Sequence, residues 1–189
     1  MRAERALHSV VNIFHSAVLA GGVKRTLRRQ QKGEVVEMTT QEVVEMAAQD
    51  DVDEFIQQLT LALGELMKGN PEPVKKCYSQ GQDVTLGDPF GPFVRGWEQV
   101  AAVIDHAASQ FRNGEMVDTE TVKSYVTPEF ACLVTVERAK AKVGGEDAVT
   151  PINVRATTLM APEDGEWKIV HRHVDAITTA RPAESVIQR

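Results

Sequence analysis

Residues 151–177, PINVRATTLMAPEDGEWKIVHRHVDAI, decide how this chain is read. Two runs of largely alternating residues flank Pro162-Glu163-Asp164-Gly165, the pattern of two antiparallel strands joined by a tight turn. The turn residues suit a type I turn followed by glycine in the left-handed region, a frequent three-residue hairpin loop. With Glu163-Asp164-Gly165 as the loop, Pro162 faces Glu166, Thr157 faces His171 and Arg155 faces His173. One face then carries Arg155, Thr157, Leu159, Ile169, His171, His173 and Asp175. A two-residue loop, Asp164-Gly165, instead groups Arg155 with Val170, Arg172 and Val174 on the face opposite the histidines. A slip of one residue exchanges the two faces completely. The three-residue loop is the preferred reading, because a glycine bulge suits it and it gathers the polar groups away from the turn.

Moving towards the N-terminus, the alternation persists. Residues 130–142 place Ala131, Leu133, Thr135 and Glu137 on one side of a strand and Cys132, Val134 and Val136 on the other. Residues 116–126 place Thr119, Thr121, Lys123 and Tyr125 together, and Thr127-Pro128-Glu129 turns the chain between the two strands. Before residue 115 the period is helical. Trp97, Val100, Ala101, Ile104, Ala108 and Phe111 form one apolar stripe, and Val52, Phe55, Ile56, Leu59, Leu63, Leu66 and Met67 form another. Thr39 and Glu42 have the spacing of a capping box ahead of that second stripe. Gly69-Asn70-Pro71 ends it, and a short helix follows to Tyr78. A short strand, Val84 to Leu86, runs into a glycine- and proline-rich loop that exposes Asp88 and Phe90. Helices followed by a run of antiparallel strands predict an α+β fold with helices covering one sheet face.

Composition sets outer bounds. The 189 residues are 42% hydrophobic and 25% charged, sufficient for one globular domain with a tail. A net charge of −6 argues against nonspecific nucleic-acid binding, and no apolar run approaches the ~18 residues of a membrane span. Cys77 and Cys132 make neither a disulfide framework nor a metal cluster and read as buried reduced thiols. Neither GxxxxGKS nor GxGxxG is present, so no phosphate loop is expected. Residues 1–33 differ from the rest: they hold seven basic residues and one acidic residue, Glu4. This segment reads first as an extended or misassigned start ahead of Met38, then as a disordered or loosely helical tail in residues 1–37. Export, with a possible cleavage site after Ala20, ranks third. The expected location is cytoplasmic, with export or organelle targeting as the alternative. The domain is placed at residues 38–178 and a frayed tail at 179–189.

Several pieces in this order resemble a known family. They are Gly69-Asn70-Pro71-Glu72-Pro73-Val74, Asp83-Val84-Thr85-Leu86-Gly87, Gly91-Pro92, and Gly96-Trp97-Glu98-Gln99-Val100. The last is Arg155-x-Thr157, a turn, and Trp167-Lys168-Ile169-Val170-His171-Arg172-His173. Over about residues 50–178 the chain is similar to the SnoaL-like, or nuclear transport factor 2-like and ketosteroid-isomerase-like, superfamily. The resemblance implies a cone-shaped, strongly bent antiparallel or mixed sheet wrapped over N-terminal helices and enclosing one apolar pocket. It implies a homodimer formed through the outer sheet face, and it suggests no metal or cofactor. Functions on this fold range from isomerases, dehydratases and polyketide cyclases to binding and scaffold domains, so the fold alone does not assign chemistry.

An isomerase or cyclase needs a base near an acidic C–H and donors for the developing enolate oxygen. Asp88 and Asp175 are the candidate bases, with His173 a further catalytic candidate. Arg155, Thr157, His171 and His173 are the candidate polar ligand contacts, Tyr125, whose face is unassigned, could add a hydroxyl, and Trp97 and Phe90 are further candidate ligand contacts. A buried Arg–Asp pair with bonded histidines can equally well hold a sheet together, and structural or binding roles for Arg155, His171 and His173 rank ahead of catalysis. His171-x-His173 with Asp175 has strand spacing compatible with metal ligands, but no metal is expected. The reading is a small-molecule-binding domain for an apolar or amphipathic ligand. A cofactor-independent isomerase, dehydratase or cyclase is the alternative, and an oligomerising scaffold the second alternative.

Overall fold

The computed structural model describes residues 26–31 and 34–187. The chain divides into two units, residues 1–50 and 51–189. In the first, β1 (Thr26–Gln31) and β2 (Glu34–Thr39) form an antiparallel hairpin with Thr26 opposite Thr39. The sequence reading placed no strand here; of the possible leader in residues 1–33, residues 1–25, 32 and 33 lie outside the described residues. Helix α1 (Thr40–Leu66) then begins on the capping box its sequence announces. The Thr39 N–H donates to Glu42 Oε2 at 2.6 Å, and the Glu42 N–H donates back to Thr39 Oγ1 at 3.2 Å.

In the second unit, helix α2 (Glu72–Cys77), β3 (Thr85–Gly87), β4 (Val94–Arg95) and helix α3 (Trp97–Gln110) precede four long strands. These are β5 (Phe111–Val126), β6 (Ala131–Val143), β7 (Thr150–Glu163) and β8 (Glu166–Asp175). They form a six-stranded mixed sheet in the order β4-β3-β8-β7-β6-β5, with β3 parallel to β8 and the other pairs antiparallel. The fold is the α+β arrangement expected. The helical stripes supply Val52, Phe55, Leu59, Leu63, Val100, Ile104 and Ala108 to one core, which alternate sheet residues such as Leu133, Met160 and Ile169 complete. Strand β4 escaped the sequence reading because two residues carry no legible period.

The hairpin register differs from the preferred reading. Glu163 pairs with Glu166, so the loop is the two residues Asp164-Gly165. Both have positive φ, 51° and 81°, the type I′ geometry that an Asp-Gly pair favours and that matches strand twist. Pairing runs through Met160–Ile169 and then shifts, because Leu159 faces His171 and Val170 is left over as a bulge. Beyond the bulge Thr157 faces His173 and Arg155 faces Asp175, two residues away from the preferred partners. The extra residue restores the grouping of Arg155, Thr157, Leu159, His171, His173 and Asp175 on one face, but it transfers Ile169 to the other.

Candidate functional site

A cavity of about 480 Å³ lies inside the second unit, between the helices and the inner face of the sheet. Leu59, Leu63 and Leu66 of α1, Ile104 and Ala107 of α3, and Ala139, Ile152 and Val174 of the sheet form much of its wall. The polar side chains that line it are few: Tyr78, Asp88, Glu137, Thr150, Asn153 and Arg172.

Arg172 reaches this interior because of the bulge. Were Val170 paired in regular alternation instead of bulged, the pattern that buries Trp167 and Ile169 would bury His171 and His173 and turn Arg172 outwards. Instead Arg172 is 4% exposed and Glu137 6%. Nη2 of Arg172 donates to both carboxylate oxygens of Glu137 at 2.7 Å, and Nη1 donates to Thr158 Oγ1 at 2.6 Å. The Thr135 hydroxyl adds a bond to Glu137 Oε1 at 3.2 Å. Burial works against the guanidinium charge, but the Glu137 carboxylate holds it protonated, above its usual range. The pair ties β6, β7 and β8 together from within.

Tyr78 follows α2 and bridges to Ile169 in parallel, while the Ser79 N–H donates to the Ile169 carbonyl at 2.9 Å. It is 3% exposed, and burial pushes its phenol pKa well up, so the ring presents a protonated hydroxyl. Asp88 leaves the end of β3. Its Oδ1 accepts from the Phe90 N–H at 3.1 Å, whereas Oδ2 is buried without a hydrogen-bond partner among the described residues. Phe90 lies at the rim, its ring centroid 5.8 Å from that of Phe111.

The residues singled out in the sequence therefore separate into two places. Asp88 and Phe90 line the cavity; Arg155, Thr157, His171, His173 and Asp175 do not. These five share the opposite face of the sheet. There the Arg155 Nε donates to both Asp175 oxygens at 2.9 Å. Burial raises the Asp175 carboxyl, but the Ile177 N–H and Arg155 outweigh it and hold the pKa below the usual value. Thr85 Oγ1 is 2.7 Å from His171 Nδ1, and the Phe93 ring sits 6.1 Å from His171 and 5.0 Å from His173. Gly87 makes room for that ring: a Cβ there would lie 2.5 Å from Phe93 Cε1. Trp97 packs against the core and Tyr125 is 59% exposed; neither lines the cavity. Among the described residues, no group of three or more His, Cys, Asp or Glu side chains is placed to hold a metal ion. Cys77 is buried and Cys132 half-buried; both are unpaired, and burial raises both thiol pKa values.

Sequence reasoning passed over Arg172, Glu137 and Tyr78. For Glu137 the signal was present, since it alternates with Ala131, Leu133 and Thr135 on what proves to be the inner face. For Arg172 only the bulge decides, and nothing in the alternation of residues 166–175 marks it.

The model of the SnoaL-like domain matches residues 74–177, more than half of the chain. The chain belongs to the SnoaL-like domain family. Solved structures agree on the fold. A nuclear transport factor 2-like protein from Salmonella enterica is 16% identical, with a TM-score of 0.61 over 74% of this chain and 97% of that one. A protein of the same superfamily from Streptomyces avermitilis, provisionally named a dehydratase, is 14% identical, with a TM-score of 0.59 over 71% and 99%. A provisionally named scytalone dehydratase from Novosphingobium aromaticivorans is 16% identical, with a TM-score of 0.57 over 76% and 100%. No curated protein matches the sequence significantly. At such identities the likeness of this SnoaL-like chain to solved structures extends to the fold alone.

Proposed function

We propose that this SnoaL-like domain binds a small, mostly apolar organic molecule between its helices and its sheet. The observation that supports this reading is the cavity itself: about 480 Å³ within the usual size of ligand sites, walled by aliphatic and aromatic side chains with a few convergent polar groups. The experiment is a titration with Nile red, a neutral dye whose emission shifts in apolar surroundings, against the protein and Ala139→Phe. Ala139 lines the cavity, and a phenyl ring there would occupy it. Saturable binding that Ala139→Phe abolishes while melting cooperatively supports the reading. No binding to the parent protein, or equal binding to the variant, overturns it.

A second reading, an isomerase or dehydratase, is favoured by Asp88 and Tyr78 in the same cavity. A carboxylate oxygen without a partner can accept a proton from carbon, and a protonated phenol can donate to the oxygen on which charge develops. It is tested by exchange of the acidic C–H of 2-tetralone with deuterated water. Protein-dependent exchange lost in Asp88→Asn supports a base at Asp88; exchange unchanged in that variant excludes it.

A further inference from the structure

The ionisable side chains that line the cavity are Tyr78, Asp88, Glu137 and Arg172, and they do not balance. Both oxygens of Glu137 accept from Arg172, and Oε1 also accepts from Thr135, so the one cationic group is already neutralised by an anionic one. Tyr78 is protonated and contributes no charge. Asp88 is left. Its Oδ1 is held by the Phe90 N–H, its Oδ2 is buried without a partner, and it enters no ion pair among the described residues. A buried acceptor left unpaired is costly, and one beside an apolar cavity gains most from a donor that a ligand brings.

We infer that the ligand is an apolar molecule carrying a hydrogen-bond donor, a hydroxyl or a protonated amine, which bonds to Asp88 Oδ2, and that carboxylates and phosphates are rejected. This rests on the cavity being a binding site and adds the chemical class of its occupant. An anionic head would meet an uncompensated carboxylate in apolar surroundings, with the nearest cation already bonded to Glu137. Arg155, on the other face of the sheet and paired with Asp175, is not available to receive it.

Four naphthalene probes of one skeleton test the inference by calorimetry: 2-methylnaphthalene, naphthalene-2-methanol, naphthalene-2-methylammonium and naphthalene-2-carboxylate. The alcohol and the ammonium should each bind about tenfold or more tightly than the carboxylate, the range of a hydrogen bond to a charged group. Asp88→Asn should erase the preference for the ammonium and leave 2-methylnaphthalene unchanged. A carboxylate that binds as tightly as the alcohol, or a ranking that Asp88→Asn does not alter, overturns the inference and leaves the cavity reading intact. If none of the four binds, 2-methylnaphthalene included, the cavity reading falls and this inference with it.

Discussion

Arg172 and Glu137 form an ion pair almost without solvent, their side chains 5% and 7% exposed. Such a pair is weak evidence for stability as a whole, since the desolvation of two charges offsets most of their attraction. Removing one member is different, because it strands the other. Glu137→Gln should therefore lower the unfolding free energy by about 3–5 kcal/mol in urea denaturation, whereas Glu137→Leu combined with Arg172→Met should lose far less. A single variant as stable as the parent would show that solvent already reaches the pair. On the opposite face His171 gives a pH dependence. Burial, and then the neighbouring His173, lower its pKa from 6.5, so the folded chain prefers the neutral ring. Above 6.5 both states are neutral and nothing is lost. As pH falls below 6.5 the unfolded chain takes up the proton first, and stability declines until pH has passed the lowered folded value. The melting temperature of His171→Gln should fall less steeply than that of the parent between pH 7 and 5; parallel curves would assign the decline to other groups.

At the scale of the element, one bulged residue on β8 determines which chemistry faces inwards. Trp167 and Ile169 alternate inwards up to Val170, the pairing then slips by one, and Arg172 follows Ile169 into the interior. Deleting Val170 should straighten β8 yet leave Arg172 inside and the histidines outside, because Ile169, His171 and Arg172 already face Met160, Leu159 and Thr158 in turn, and melting should stay cooperative. Val170→Ala, which keeps the bulge and trims a half-buried side chain, should cost about 1 kcal/mol, a usual value for a point substitution. Loss of cooperative melting in the deletion alone would show that the core depends on the bulged path of the strand. The turn beside it was more legible: Asp164-Gly165 carries the dipeptide preference of a type I′ loop, and choosing the longer loop gave weight to the glycine alone. On β5, Gly114 marks a close approach that no periodicity reveals. A Cβ there would lie 2.6 Å from the Lys140 carbonyl oxygen and 2.7 Å from that of Met67.

For the molecule as a whole, the buried apolar cluster among the described residues begins at Val52. Removing residues 1–37 should accordingly leave the melting temperature unchanged within error; a large fall would tie that segment to the core. No described helix is long and apolar enough to cross a membrane. Element order, the stripes of α1 and α3 and the long strands were legible because each follows from local periodicity and from residues that start or stop an element. Local chemistry also located the capping box at Thr39 and the loop bearing Asp88. What spacing along the chain could not express was pairing between distant segments: β3 laid parallel to β8, Tyr78 bridged to Ile169, and Glu137 brought to Arg172 across three strands. The alternation of a strand specifies two sets of side chains but not which set is inside. That choice came from the bulge at Val170 and from the helices that cover one face of the sheet. It is why the sequence by itself determined the fold, while only the tertiary structure placed Asp88, Tyr78 and the Arg172–Glu137 pair around one cavity and left the histidines outside it.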